Sequence, residues 1–111
     1  MITFFDCLHD MEDPQGASAQ ASKKLKKRDG IVMIVEPFAN DKLEDNLNPL
    51  GHMFYAASTM ICVPASLIHN GPALGTQAGE TAISQVFKST GFKHFRRATQ
   101  TPFNIIYEAK P

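Results

Sequence analysis

Ile2 to Leu8 is an almost continuous apolar run, broken only by Thr3 and Asp6 and rich in β-branched and aromatic side chains. Such a run reads as a strand covered on both faces, the pattern of a parallel sheet. Asp13-Pro14 then supplies an N-cap and a proline at the first helical position. Ala17, Ala21 and Leu25 follow at i, i+4, i+8, a thin stripe suited to a helix lying close against a sheet. Lys23, Lys24, Lys26, Lys27 and Arg28 crowd the last turns, where cations complement the helix dipole, and Asp29-Gly30 ends the helix. Ile31 to Val35 is the cleanest strand, again unalternating. Strand, helix, strand is a βαβ unit with a right-handed crossover. His9-Asp10 and Glu36 then fall at the same edge of the sheet.

Phe38 to Asn48 is polar and acidic, a loop. Asn48-Pro49 repeats the cap-plus-proline start. Leu50, Met53, Phe54, Ala57, Met60 and Ile61 keep 3-4 spacing, which predicts an amphipathic helix stopped before Pro64. Ser66 to Gly79 reads as loop with a short helical turn. Glu80 to Thr90 carries Ile83, Val86 and Phe87 on one face and is closed by Gly91. Phe92 to Thr99 and Phe103 to Ala109 read as strands of an antiparallel hairpin around Gln100-Thr101-Pro102.

At 111 residues with 43% apolar content, the chain suits one small domain with a core of its own. Eleven basic residues balance eleven acidic ones, so net charge favours neither nucleic acid nor an anionic membrane. No apolar stretch approaches transmembrane length, and the start lacks a signal-peptide pattern, which points to a soluble cytoplasmic protein. Cys7 and Cys62 sit in apolar surroundings without metal spacing and read as reduced thiols. No His/Cys/carboxylate cluster has zinc spacing, so no metal is expected.

His9, Asp10 and Glu36 form the one constellation with catalytic logic. A strand-end histidine can take a proton near neutrality, and a neighbouring carboxylate can fix its tautomer. The structural alternative is a loop histidine bonded to backbone, with Glu36 capping the next turn. The basic run reads as a solvated helix end, since no aromatics interleave it. Gly71, Gly75 and Gly79 lack the Lys-Ser/Thr of a phosphate loop. The Met53/Phe54/Met60 stripe reads as core, with a substrate lid as the alternative.

Phe4-Phe-Asp-Cys-Leu-His-Asp-Met-Glu-Asp-Pro14, followed by a helix and Leu25 to Pro37, resembles the second half of class I S-adenosylmethionine-dependent methyltransferases. The two blocks are similar to that family's fourth strand and its helix, then its fifth strand. The closing helix and hairpin resemble the last helix with strands six and seven. Glu36 to Asp41 and Thr101 to Asn104 resemble "E-P-F-A-N-D" and "T-P-F-N" blocks of a bacterial-type group that carries a winged-helix segment. The resemblance implies α/β architecture, a partial Rossmann-like sheet of strands equivalent to 4-5-7-6 with the last strand antiparallel. It also implies that residues 1–111 are the C-terminal part of one methyltransferase domain. Their cofactor-binding half would lie upstream, since the chain has no Gly-x-Gly-x-x-Gly. Strand Ile2 to Leu8 would then present an apolar edge open to self-association.

Leu8-His9-Asp10-Met11 is similar to the "L-H-D-W" block of small-molecule O-methyltransferases, whose histidine is the general base, with Met11 replacing the aromatic residue. Those enzymes place an orienting glutamate where Glu36 falls. Phe5 and Asp6 correspond to the strand that passes S-adenosylmethionine, although the family's lysine near Phe5 is absent. Phe38, Met53 and Phe54 are read as lining the site of a small-molecule methyl acceptor. The alternative is a non-catalytic remnant serving as an interaction or ligand-sensing regulatory module.

Overall fold

The computed structural model describes residues 1–25 and 29–111, so Lys26, Lys27 and Arg28 of the basic run lie outside the described residues. It is a mixed α/β structure. Strands β1 (Ile2–Phe5), β2 (Val32–Pro37), β3 (His94–Gln100) and β4 (Asn104–Lys110) form one sheet in the order β1-β2-β4-β3. β1 and β2 are parallel, with Ile2 beside Val32 and Phe5 beside Val35. β4 runs antiparallel to both β2 and β3. The last strand is therefore the inverted one, inserted between β2 and β3.

Helix α1 (Pro14–Lys24) starts where the Asp13-Pro14 signal placed it, the Asp13 carboxylate accepting the Gly16 N–H at 2.7 Å. Its buried residues are Pro14, Ser18 and Ala21, and Leu25 packs against the core, so Ala21 and Leu25 of the expected stripe face inward while Ser18 takes the place expected for Ala17. The Ser18 hydroxyl meets that of Thr90 at 2.6 Å, which satisfies a polar group in the seam with α4 (Gly79–Lys88). From α4, Ile83, Val86 and Phe87 reach the sheet as their spacing predicted. They pack on Val32, Ile34, Ile105 and Tyr107. Phe87 is fully buried and meets Phe4, Phe92 and Phe95 at centroid distances of 6.1, 5.3 and 5.9 Å.

Two strand expectations are corrected. β2 alternates: Val32, Ile34 and Glu36 are buried while Met33 and Val35 are half-buried. The core helices cover one face of the sheet, so an unbroken apolar run here marks a one-sided strand. β1 ends at Phe5 instead of Leu8, because Asp6 takes a left-handed conformation (φ 44) and the chain turns into a 3-10 turn at Leu8–Asp10.

The third correction concerns the apolar helix. α2 (Pro49–Ala57) is capped by Asn48, whose side-chain oxygen accepts the Gly51 N–H at 2.9 Å. A Cβ on Gly51 would overlap the Asn46 carbonyl, so this approach requires glycine. The helix does not stop before Pro64. It widens to a π turn at Ser58–Cys62, where the Val63 N–H bonds to the Ser58 carbonyl, and continues as α3 (Val63–Ile68). Pro64 thus sits in the first turn of α3, where a missing N–H costs least. Together Pro49–Ile68 make 20 helical residues of mean hydropathy 1.3, long and apolar enough to cross a membrane by length and composition alone. That overturns the expectation that no stretch has this length. Met53, Met60 and Ile61, expected on the inner face, are 53%, 78% and 65% exposed.

Truncating Phe87 to alanine should destabilise the fold by about 3–5 kcal/mol, since three aromatic rings converge on its own. Urea unfolding of Phe87→Ala checks this; a loss below about 1 kcal/mol would mean the aromatic cluster is not the core's centre.

Candidate functional site

Because β1 and β2 are parallel neighbours, their carboxyl ends lie side by side, and each delivers one half of a buried pair. Glu36, near the end of β2, is 4% exposed; His9, in the turn after β1, is 3% exposed. Glu36 Oε1 accepts the Leu8 N–H at 3.1 Å, and Oε2 lies 2.5 Å from His9 Nδ1. A buried carboxylate needs such partners, or the cost of leaving water would be uncompensated. The carboxylate also makes Nδ1 the protonated nitrogen, leaving Nε2 to exchange protons.

Asp10 Oδ1 lies 3.2 Å from His9 Nε2, so the ring is held between two carboxylates. Burial alone would lower the histidine's pKa. The hydrogen bond and charge of Glu36, with the charges of Asp10 and Asp6, outweigh it and raise the pKa above the ordinary 6.5. Burial also raises Glu36 above its usual 4.5, against the opposing pull of His9 and the Leu8 N–H. The direction that governs the chemistry is the histidine's: a carboxylate on each ring nitrogen favours the imidazolium.

The turn is held from the other side by α2 and α3. From Ser58 onward the buried residues of that helix are Ser58, Cys62 and Ser66, at i, i+4, i+8. The Ser66 hydroxyl donates to the Met11 carbonyl at 3.1 Å, and Ser58 Oγ accepts the Thr76 N–H at 3.2 Å. Gly75, at φ 70, donates its N–H to the His9 carbonyl at 3.3 Å. A side chain there would strike Ser58 Oγ besides being strained, so the glycine permits the contact.

A cavity of about 400 Å³ opens beside His9. Its polar wall is Asp6, His9, Thr76 and Asn104; its apolar wall includes Met53, Phe54, Pro37 and Phe103. Thus His9, Asp6, Met53 and Phe54 are brought together as the sequence suggested, with Glu36 and Asp10 on the histidine's two nitrogens. Phe5 is not: it is 60% exposed and does not line the cavity. Phe38 packs against the hydrophobic core instead of the cavity wall.

Sequence reasoning missed Thr76, Phe103, Asn104 and the Ser58/Cys62/Ser66 seam. The four-residue spacing of small polar residues was the available signal for the seam. Cys62, read as a reduced thiol without metal spacing, lies close enough for His9, Asp10 and Cys62 each to offer a donor atom within 4.8 Å of the others. Burial, and next the Asp10 carboxylate, push the Cys62 thiol up to about 12. At neutral pH it is therefore an S–H facing Asp10, not a thiolate ready for a cation. Both cysteines are free.

Glu36→Gln tests the pairing. In the wild type, the His9 imidazole should titrate by NMR with a midpoint above 6.5. In the variant, burial is opposed only by Asp10 and Asp6, and the midpoint should fall by about one pH unit or more. A raised histidine stabilises the fold fully below its unfolded value and loses that contribution as pH rises through the folded value; raised Glu36 acts in the same direction. Stability should accordingly decline above pH 6.5 in the wild type, and less in the variant. An unchanged His9 midpoint would reject the pair.

No family model matches the chain, and no curated protein matches it.

Proposed function

We propose that this chain carries the base and acceptor side of a Rossmann-like, S-adenosylmethionine-dependent methyltransferase site acting on a small molecule. The observation that carries the reading is the His9–Glu36 pair at the adjoining carboxyl ends of two parallel strands, opening on a cavity of about 400 Å³. In open α/β sheets that edge is where ligands bind. The strand order β1-β2-β4-β3 with β4 inverted supports it too, since it coincides with the order 4-5-7-6 of the methyltransferase resemblance. A soluble, cytoplasmic setting remains part of this reading.

S-adenosylmethionine would supply an electrophilic methyl group on a sulfonium cation. Phe5 would meet that group only from the strand's exposed side. The acceptor lies against Met53 and Phe54, its nucleophilic atom toward His9 Nε2. Asp10, whose side chain is 41% exposed, would have to leave Nε2 for the acceptor to reach it. His9 Nε2 would take the acceptor's proton, while S-adenosylmethionine, when bound, would supply the methyl group and leave as a neutral thioether that keeps the electron pair of its carbon–sulfur bond. Glu36 holds Nδ1–H throughout and stabilises the imidazolium. Orientation in the cavity supplies most of the acceleration.

In the protein that carries this segment, His9→Ala should reduce labelled-methyl transfer to the acceptor by about 10²–10⁴-fold, with S-adenosylmethionine affinity retained. The base must be neutral, so wild-type transfer should rise with pH through a midpoint above 6.5, and Asp10→Asn should move that midpoint down. Unchanged transfer in His9→Ala would sink the general-base role.

A separate observation favours the interaction-module reading. β1 is an edge strand; the N–H groups of Ile2 and of Asp6, just past the strand, bond to the Ile31 and Val35 carbonyls, which leaves those of Thr3 and Phe5 facing outward. If this edge pairs two copies, light scattering should find a dimer that Thr3→Pro converts to monomer, because proline removes an outward donor and spares the β2 ladder. A dimer indifferent to Thr3→Pro would exclude pairing through β1.

A further inference from the structure

The turn between β3 and β4 contributes more than connection. Thr101 Oγ1 accepts the N–H groups of Phe103 and Asn104 at 3.2 and 2.9 Å, which fixes the turn. Asn104 is thereby held opposite Pro37, at the cavity wall. Its side-chain amide donates to Asp6 Oδ1 at 3.0 Å and reaches the Glu36 carbonyl at 3.5 Å. Asp6 is one of three non-glycine residues with positive φ among the described residues. Aspartate and asparagine tolerate that conformation better than other side chains. Backbone strain and a side-chain clamp together fix this carboxylate at the cavity wall.

The charge around the cavity is one-sided. Among the described residues, no lysine or arginine lines it. His9, the one wall residue able to carry positive charge, is matched by Glu36 and Asp10 on its two nitrogens. The Asp6 carboxylate is bonded only to a neutral amide, so its charge is left for a ligand to meet.

We propose that Asp6, clamped by Asn104, is an electrostatic selectivity residue: the cavity admits neutral or cationic acceptors and turns away anionic ones. This rests on the reading of the cavity as the acceptor site. A fixed charge near contact distance in a half-open cleft suffices for roughly tenfold discrimination, weakening as salt is added.

Three probes of one shape test it: 2-naphthol, 2-naphthoate and 2-naphthylmethylammonium, with affinities measured by NMR titration at pH 7 and low salt. The wild type should bind the naphthol and the ammonium, and the naphthoate roughly tenfold more weakly or worse. Asp6→Asn keeps the size, the tolerance of positive φ and an oxygen for Asn104; the gap should shrink to about twofold. Asn104→Ala keeps the charge but frees it, so an intermediate gap is expected. Equal wild-type affinity for naphthol and naphthoate, a gap unchanged in Asp6→Asn, or no binding of any probe overturns the proposal. Methyl transfer that depends on His9 would survive each of those results, so the two readings fail separately.

Discussion

The structure turns on one buried carboxylate. Glu36 is the last inward-facing residue of the strand between β1 and β4, where a carboxylate would be costly without partners. It is satisfied by groups that only the end of β1 can supply: the Leu8 N–H and the His9 ring. The same contacts close the βαβ unit at its open edge and hold the histidine in one tautomer. Folding and candidate chemistry thus rely on a single pair, and any change at Glu36 acts on both.

Around that pair the molecule is asymmetric. On the core side, α1 and α4 bury apolar surface against the sheet, with Phe87 at the centre of an aromatic cluster. On the site side, α2 and α3 approach through glycine and small polar residues, with Met53 and Phe54 on the cavity wall, while Met60, Ile61, Leu67 and Ile68 face outward. The hydrophobic effect explains the first packing directly. The second depends on satisfied hydrogen bonds: Ser66 to Met11, Thr76 to Ser58, Thr76 to the Phe54 carbonyl. The π turn at Ser58–Cys62 shifts the helix register between Ser58 and Ser66, where π turns often mark functional sites.

Legibility followed the range of the interaction. The caps at Asp13-Pro14 and Asn48-Pro49, the apolar face of α4 and the β3–β4 hairpin were readable because each depends on residues within a few positions. His9 and Glu36 were readable as partners because two consecutive parallel strands must end together. Burial on the α2 side was not readable. The periodic Met and Ile positions promised a core face, yet periodicity reports only that a helix has two faces; it does not say which one meets the protein. Asn104 was out of reach for another reason: it lies 98 positions from Asp6 and meets it only because β4 is inserted beside β2.

By itself, then, the sequence determined the helix caps, the apolar face of α4, the β3–β4 hairpin, the mixed α/β class and the strand-end histidine with its glutamate, because caps, spacing and strand adjacency are short-range matters. Tertiary structure alone decided which face of Pro49–Ile68 is inward and that Cys62 sits beside Asp10. It also decided that Asp6 is clamped by the hairpin and that Phe38 belongs to the core. Each of those depends on how distant segments share space around the buried carboxylate, and chain distance carries no record of that.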